Sequence, residues 1–160
     1  AEIEKAANAN NASVLAVGNF AITMVLLQKF AEIAAKYIPD FEIIDYAHER
    51  KIDAPSGTVR ELAHRLSNVQ KPNVHVPDDK IIGEAATRGA NMDGVRVHSL
   101  RLPGHVISVE TVFGAKDERL TLRHDAGAGA EPYVAGALLA IEKLGTFKGL
   151  RRGLDSVMDW

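Results

Sequence analysis

Apolar and polar positions follow two different periods along this chain, and they predict helices and strands in alternation. Residues 1–9 favour a helix, and the short apolar run Val14–Val17, which ends at Gly18, favours a buried strand. Asn19 is a suitable N-cap for a helix that runs to about Tyr37. Apolar residues cover several faces of that helix, which is typical of burial on more than one side. A chain that opens on such a helix and strand is expected to continue a longer α/β protein.

The middle of the chain combines a strand, a polar connection and an amphipathic helix. Alternating apolar residues predict a strand at Phe41–Ala47. After the polar residues 48–58, the spacing i, i+3, i+4 and i+7 predicts a second helix, with one face formed by Val59, Leu62, Ala63 and Leu66. Residues 69–94 then show no clear period and contain two prolines and three glycines. A connection of this length favours a lid or binding loop, with a mobile surface excursion as the alternative.

Three apolar segments follow, and the residues between them are typical of turns. The segments are Val95–Arg101, His105–Phe113 and Glu118–His124. Because Pro103 and Gly104 separate the first two, and a short polar turn the last two, the pattern predicts an antiparallel meander.

The remaining pattern predicts helices. One covers Glu131–Leu144 with Tyr133, Ala137 and Leu138 facing inward, and a last short element covers Leu154–Trp160. Strands grouped apart from helices predict an α+β fold, in which a mixed or antiparallel sheet of about four strands carries helices on one face.

Composition and charge exclude several classes of function. The 160 residues, 17.3 kDa, suit one domain, and 46% hydrophobic with 25% charged residues is a globular composition. The absence of cysteine excludes disulfides, thiolate zinc sites and cysteine nucleophiles. A net charge of -2 gives no basic surface for nucleic acid, and no apolar run is long enough for a bilayer. We therefore expect a soluble intracellular protein that binds neither nucleic acid nor membrane.

Cofactor and metal motifs are also missing. No two histidines have the close helical spacing of a zinc site, so no metal is expected. Neither Gly-x-Gly-x-x-Gly nor a Gly-x-x-x-x-Gly-Lys phosphate loop occurs. The chain is therefore expected to lack a complete nucleotide-binding domain of its own.

The densest group of chemical side chains lies between His48 and Thr58. The N-terminus of the second helix offers unpaired amides and a positive dipole end, to which Ser56 and Thr58 add hydroxyl donors and Gly57 adds close backbone approach. Lys51 and His48 lie just upstream, so the segment could hold a carboxylate or phosphate and deliver a proton.

Each of these features also has a purely structural interpretation. Thr58 and Glu61 fit a capping box, which would account for Thr58 and Gly57 without a ligand. Arg101, at the end of a predicted strand, could reach a bound anion or form a surface ion pair.

Residues 42–58, Glu-Ile-Ile-Asp-Tyr-Ala-His-Glu-Arg-Lys-Ile-Asp-Ala-Pro-Ser-Gly-Thr, resemble the signature segment of the dihydrodipicolinate reductase (4-hydroxy-tetrahydrodipicolinate reductase) family. Residues 16–20, 97–101 and 120–124 also fall in family order. The resemblance implies an enzyme of lysine and diaminopimelate biosynthesis, with an N-terminal Rossmann domain for NADH or NADPH. A second, α+β domain would bind a small dicarboxylate substrate and form a tetramer through its sheet.

This chain would match the second domain. The resemblance implies a hinge and remnant of the dinucleotide-binding domain at residues 1–19, the substrate-binding and oligomerisation domain at 20–145, and a returning C-terminal element at 146–160. It makes Lys51 and His48 the catalytic residues, with His48 also in contact with substrate. Further substrate contacts would come from Ser56, Gly57, Thr58 and Arg101. The strip that touches the nicotinamide end of the cofactor would be Val17, Gly18, Asn19 and Phe20.

The sequence departs from the family pattern at the expected proton donor. The usual Glu-x-His-His is Asp45-Tyr-Ala-His48 here, so Ala47 occupies the position of the principal catalytic histidine. A lost proton donor typically removes about two to four orders of magnitude of general-acid catalysis. The stretch that carries the family's Gly-Glu-His is Ile107-Ser-Val-Glu110 here, and the family's Ser-Arg is replaced within Gly127–Ala130.

Two hypotheses of different classes follow. In the first, the chain is the substrate-binding part of a cytoplasmic reductase (plastidic if the source is a plant) and is inactive alone, because the dinucleotide would be held mainly by an absent domain. In the second, it is a non-catalytic or repurposed relative that keeps the dicarboxylate pocket or the oligomer surface. A reductase for another cyclic imine acid is a related third possibility.

Overall fold

A computed structural model describes residues 2–160, which divide into two compact units. Unit 1 contains the residues up to Leu26 and from Gly129 onward, and unit 2 contains Leu27–Ala128. The helices are α1 (Glu2–Ala9), α2 (Ile22–Ala35), α3 (Gly57–Val69) and α4 (Glu131–Lys143). The strands are β1 (Ser13–Ala16), β2 (Phe41–Ala47), β3 (Ala90–Met92), β4 (Val95–Arg101), β5 (Ile107–Ala115), β6 (Glu118–Ala126) and β7 (Gly149–Arg152). The predicted α+β class is confirmed, whereas the predicted functional division at 19/20 and 145/146 stays a prediction.

Unit 2 is built on a mixed sheet of five strands in the order β3-β4-β2-β5-β6. The central strand, β2, runs parallel to β4 and antiparallel to β5. The predicted meander of three consecutive strands is therefore wrong, because β2 lies between β4 and β5. The connection between those two strands is bonded to the end of β2: the Leu102 amide donates to Ala47, and the His48 amide donates to Val106.

The two faces of this sheet differ in burial. Residues 41, 43, 45 and 47 of β2 are buried, and α3 packs against β2 and β4. The alternate residues Glu42, Ile44 and Tyr46 share the other face with Val112 of β5 and Arg123 of β6, as the strand register requires. We call this second side the open face.

The long connection in unit 2 has little regular structure, as its sequence predicted. Two short 3₁₀ turns lie at Asp78–Lys80 and Ala85–Arg88, and three residues form β3 at the sheet edge. The short β3 was not predicted, because three residues in a polar context carry no period.

Unit 1 joins the two ends of the chain. Its strands β1 and β7 pair in parallel, with Ser13 opposite Gly149. Its core contains Val25, Ala140, Phe147, Leu154 and Val157. The strand β7 was missing from the sequence prediction.

Two predictions for the helices of unit 1 are wrong. In α4, Tyr133 and Leu138 are 37% and 55% exposed, and the buried residues are Gly136 and Ala140. The small residues face inward because the backbone of Phe20 comes so close to Gly136 that any side chain there would collide with its carbonyl oxygen. The helix α2 begins at Ile22 rather than after Asn19, whose side chain instead accepts a hydrogen bond from the Ala21 amide at 2.8 Å. None of the helices over residues 2–160 has the length and apolarity to cross a membrane.

Candidate functional site

The segment between β2 and α3 carries most of the predicted site residues. Since β2 is bonded to strands on both sides, this segment starts from a fixed point in the sheet. The strand ends at Ala47, and the Lys51 amide donates to the His48 carbonyl at 3.1 Å, so the backbone turns at once. The His48 ring is exposed, and its Nδ1 accepts from the Arg50 amide at 3.2 Å.

The Lys51 ammonium is held by a neighbouring carboxylate. Its Nζ lies 2.6 Å from Oδ1 of Asp53, and both side chains are partly exposed. The hydrogen bond from Lys51 lowers the pKa of the Asp53 carboxyl from its ordinary value. The ammonium is thereby oriented on the connection while it stays accessible from solvent.

Helix α3 begins two residues earlier than the capping box required. Ser56 is the N-cap, and its hydroxyl accepts from the Val59 amide at 3.4 Å. The first hydrogen bond of the helical backbone runs from Arg60 to the Ser56 carbonyl at 3.0 Å, so Gly57 and Thr58 occupy the first turn, where the dipole is positive. The interpretation of Thr58 as the N-cap is wrong.

Space for a ligand exists at this helix end. Gly57 is exposed, and a methyl group there would meet only the Arg60 guanidinium, at 3.7 Å. Arg60 also donates to the Pro55 carbonyl at 3.1 Å. Sequence analysis did not single out Arg60, although a cation in the first turn beside a glycine is a readable signal for anion binding.

Behind the connection lies an ion pair between Asp45 and Arg101. Asp45 is 0% exposed, and its Oδ2 accepts from Arg101 Nη2 at 2.7 Å and from the Ser56 amide at 2.8 Å. Arg101 also donates to the Asp53 carbonyl at 2.6 Å. Arg101 is therefore largely buried and bonded to Asp45 and Asp53. Its predicted contact with a ligand stays a prediction.

Sequence analysis missed the importance of Asp45 and Asp53. Asp45 occupies the third position of the alternating buried set that also contains Phe41, Ile43 and Ala47. A carboxylate on an apolar stripe needs a partner when it is buried, and this was the available signal. Asp53, two residues after Lys51, carried no comparable signal.

The predicted cofactor strip lies in unit 1. Val17, Gly18, Asn19 and Phe20 form the irregular backbone between β1 and α2. Val17 and Phe20 pack against the core of unit 1, and Gly18 is exposed. The role of these residues in cofactor binding stays a prediction.

A cavity of about 960 Å³ lies elsewhere in unit 2. Residues of the connection 72–82 line it together with Glu42, Ile44 and His98 of the open face, and none of the predicted site residues lines the cavity. Residues 2–160 contain no cluster of three or more histidines and carboxylates that could hold a metal ion. The β2–α3 connection is the candidate site because of its chemistry and not because of the size of a cavity.

Comparison with known proteins identifies the family of this chain. A family profile described as the C-terminus of dihydrodipicolinate reductase matches residues 23–158. The chain belongs to the dihydrodipicolinate reductase family. It is 37% identical over 99% of its length to 4-hydroxy-tetrahydrodipicolinate reductase of Shouchella clausii, and 40% identical over 98% to that of Carboxydothermus hydrogenoformans.

A solved structure supports the same assignment. Dihydrodipicolinate reductase from Paenisporosarcina sp. TG-14, which was solved with dipicolinate bound, matches 95% of the chain at 35% identity with a TM-score of 0.85. The chain spans about three fifths of the relatives it matches: 60%, 59% and 57% of these three reductases. The fold of the family's C-terminal part is therefore shown for this chain.

Proposed function

We propose that this chain is the substrate-binding and oligomerisation part of a reductase that acts on dihydrodipicolinate, a cyclic unsaturated dicarboxylate, in lysine and diaminopimelate biosynthesis. The observation that carries the proposal is the arrangement of the β2–α3 connection. There an oriented ammonium, Lys51, and an open helix N-terminus at Gly57 lie on one short segment of a dihydrodipicolinate reductase family member. The dipicolinate-bound relative supports a ligand of the same class.

In this proposal the helix end binds one carboxylate of the substrate. The backbone amides of Gly57 and Thr58 and the Thr58 hydroxyl donate to it, and the Ser56 cap keeps the first turn in place. Lys51, with His48 nearby in sequence, donates a hydrogen bond or a proton to the ring. A hydride and a proton together saturate one double bond of the ring, so one group must supply the proton.

NADH or NADPH, when bound, supplies the hydride. The residues of this chain fit only one end of such a cofactor, since they offer the irregular strip Val17–Phe20 and no glycine-rich phosphate motif. We therefore expect the chain alone to transfer no hydride.

Binding of pyridine-2,6-dicarboxylate to the chain, measured by calorimetry, tests the proposed site. We expect Lys51→Ala to weaken binding about 10- to 100-fold, because hydrogen bonds to charged groups contribute about 1.5–3 kcal/mol. Lys71→Ala, on the exposed connection after α3, is the matched control and should bind as the wild type does. No binding by the wild-type chain, or equal binding by both variants, would contradict the proposal.

A second function is favoured by Ala47, which leaves the family's usual proton-donor position without an imidazole. In that case the chain binds dicarboxylates without catalysis. Joining the chain to the dinucleotide-binding part of the Carboxydothermus hydrogenoformans relative and assaying oxidation of NADH and NADPH with dihydrodipicolinate separates the two. Activity that Lys51→Ala abolishes supports the reductase, and dipicolinate binding without activity supports the binding protein.

We also propose that copies of the chain assemble through the open face of the sheet, as a tetramer. One face of the five-stranded sheet carries helices, while the other carries the partly exposed apolar residues Ile44 and Val112. A second copy of the chain would cover them.

A further inference from the structure

We propose that Asp45 and Arg101 form a positioning pair that fixes the ligand-binding connection to the centre of the sheet. The inference rests on the proposed function. It assigns to the pair the role of holding the Lys51 ammonium and the α3 N-terminus at the relative position that one bound ligand requires. Neither residue of the pair contacts the ligand. Both act through Asp53 and Ser56.

Arg101 has no spare Nη hydrogen for a ligand. Its Nη1 donates to the carbonyls of Leu100 and Asp45, at 2.9 and 3.4 Å. Its Nη2 donates to Oδ2 of Asp45 and to the Asp53 carbonyl, at 2.7 and 2.6 Å. A guanidinium carries five N–H groups, and the fifth, on Nε, is buried and has no partner among residues 2–160. The side chain is only 15% exposed, so its geometry suits an internal clamp rather than a ligand contact.

Asp45 completes the clamp from the neighbouring strand. The same Oδ2 atom that pairs with Arg101 accepts the Ser56 amide at 2.8 Å and the Ser99 hydroxyl at 3.4 Å. Asp45 lies on β2, and Arg101 is the last residue of the parallel strand β4. Two adjacent strands of the sheet thus hold the connection at Asp53 and at Ser56.

These two anchor points bracket the binding residues. The Asp53 carbonyl is tied to Arg101 while its carboxylate holds the Lys51 ammonium at 2.6 Å. The Ser56 amide is tied to Asp45 while its hydroxyl caps α3. One ion pair therefore sets the position of the Lys51 ammonium relative to the amides of α3. Because both members of the pair lie on strands, they support the geometry of the site better than loop residues would.

The test compares local order and ligand affinity in variants of this chain. Asp45→Asn and Arg101→Lys should each accelerate amide hydrogen exchange in residues 53–58, roughly tenfold, and leave exchange in β5 and β6 unchanged. A lysine ammonium carries three N–H donors on one atom and cannot replace the four hydrogen bonds that the planar guanidinium of Arg101 donates. Dipicolinate affinity should fall by up to about 100-fold, because the charge-assisted hydrogen bonds to the ligand lose their common geometry.

Two further variants separate positioning from general stability. Asp45→Glu keeps the charge and should retain most of the affinity, with exchange in 53–58 close to that of the wild type. Glu32→Gln removes a partly buried ion pair of unit 2, in which Arg65 lies 2.5 Å from Glu32, and should change neither readout.

The outcomes are distinct. The proposed positioning role is wrong if Asp45→Asn and Arg101→Lys bind dipicolinate as the wild type does. It is also wrong if amide hydrogen exchange in β5 and β6 rises as much as it does in residues 53–58. If the wild type itself does not bind dipicolinate, the proposed function fails, and exchange in residues 53–58 still decides whether the pair orders the connection.

Discussion

At the last position of β2 the chain carries Ala47, a residue that is 0% exposed and whose backbone bonds to Leu102. Its register partner on β4 is Arg101. The following His48 is exposed and its ring accepts from the Arg50 amide, so it belongs to the turn. The family resemblance implies an imidazole at position 47, and β2 carries none there.

Restoring that imidazole should increase turnover. In the joined two-part enzyme, we expect Ala47→His to raise kcat about 10²- to 10⁴-fold, because an imidazole titrates near neutral pH and suits general-acid catalysis. The side chain enters a buried position, so some loss of stability, about 1–3 kcal/mol, should accompany it. Steady-state kinetics and urea unfolding measure both quantities.

Ala47→Asn is the control for that experiment, since it adds a polar side chain that does not titrate near neutral pH. It should lose stability without gaining activity. Equal kinetics for the histidine and asparagine variants, both folded, would refute a proton-donor role at this position.

Individual residues were predictable where their chemistry is local. Lys51, Gly57 and Thr58 were recognised together because they lie within eight residues of sequence, and the structure places them on the β2–α3 connection and the first turn of α3. The role of Ser56 as cap was not predicted, since the choice between Ser56 and Thr58 depends on which residue leaves the helical backbone. The bonds of Asp45 depend on a residue 56 positions away, which no local pattern shows.

Among the elements, the β5–β6 hairpin carries a polar network on the open face. Arg123 donates hydrogen bonds to Asp125 and Glu110, and its guanidinium lies over the Tyr46 ring, 4.8 Å from the ring centroid. The Ser108 hydroxyl also donates to Asp125, at 2.6 Å. Hydrogen bonds from Arg123 and then Ser108 lower the pKa of Asp125 to about 2. Desolvation, and then the hydrogen bond to Glu110, raise the pKa of Tyr46.

This network predicts a defined pH dependence of stability. Because the pKa of Asp125 is lower in the folded chain than its ordinary 3.8, its contribution is complete above that ordinary value and disappears as pH falls through about 2. Asp125 is more than half exposed, so the contribution should be at most about 1 kcal/mol. Urea unfolding of the wild type and Asp125→Asn between pH 2 and 6 should show a difference that closes only at the acid end.

Asp117→Asn, at the turn of the same hairpin, removes a carboxylate from the end opposite Arg123 and Ser108. It serves as the control. A difference for Asp125→Asn that stays constant down to pH 2 would contradict the assignment.

The type and bounds of the helices and strands were easier to predict from the sequence than the order of the strands in the sheet. The bounds of β2 and β4 agree with the alternating pattern, since each strand buries every second residue at its start. The order of strands was not predictable in the same way, because the pairing of β2 with β4 and β5 joins distant parts of the chain. In α4, the pattern predicted Tyr133, Ala137 and Leu138 to face inward, whereas Gly136 and Ala140 are buried and the backbone of Phe20 comes close to Gly136.

At the scale of the whole molecule, the open face predicts assembly. A sheet with helices on one side can leave the other to water when its residues are polar, but here the apolar residues Ile44 and Val112 lie among the charged ones. If copies pair through this face, Val112→Lys should dissociate them, because a longer and charged side chain would replace an apolar one at the contact and would have to lose its hydration there.

Sedimentation velocity measures the result. The wild type should sediment as a tetramer of the 17.3 kDa chain and Val112→Lys as a smaller species. Ile141→Lys, on the exposed side of α4 in unit 1, should sediment as the wild type does. A monomeric wild type, or an unchanged Val112→Lys, would show that the open face does not join copies.

The parallel pairing of β1 with β7 has a consequence for how the chain folds. The Ser13 hydroxyl donates to the Phe147 carbonyl across 134 residues of sequence, and closing a loop of that length costs roughly 4 kcal/mol of chain entropy or more. Unit 2 contains the local β5–β6 hairpin, and its own strand pairings do not include β1 or β7. We therefore expect unit 2 to form early and to shorten the effective loop between β1 and β7, so that unit 1 completes late and opens first under a protease.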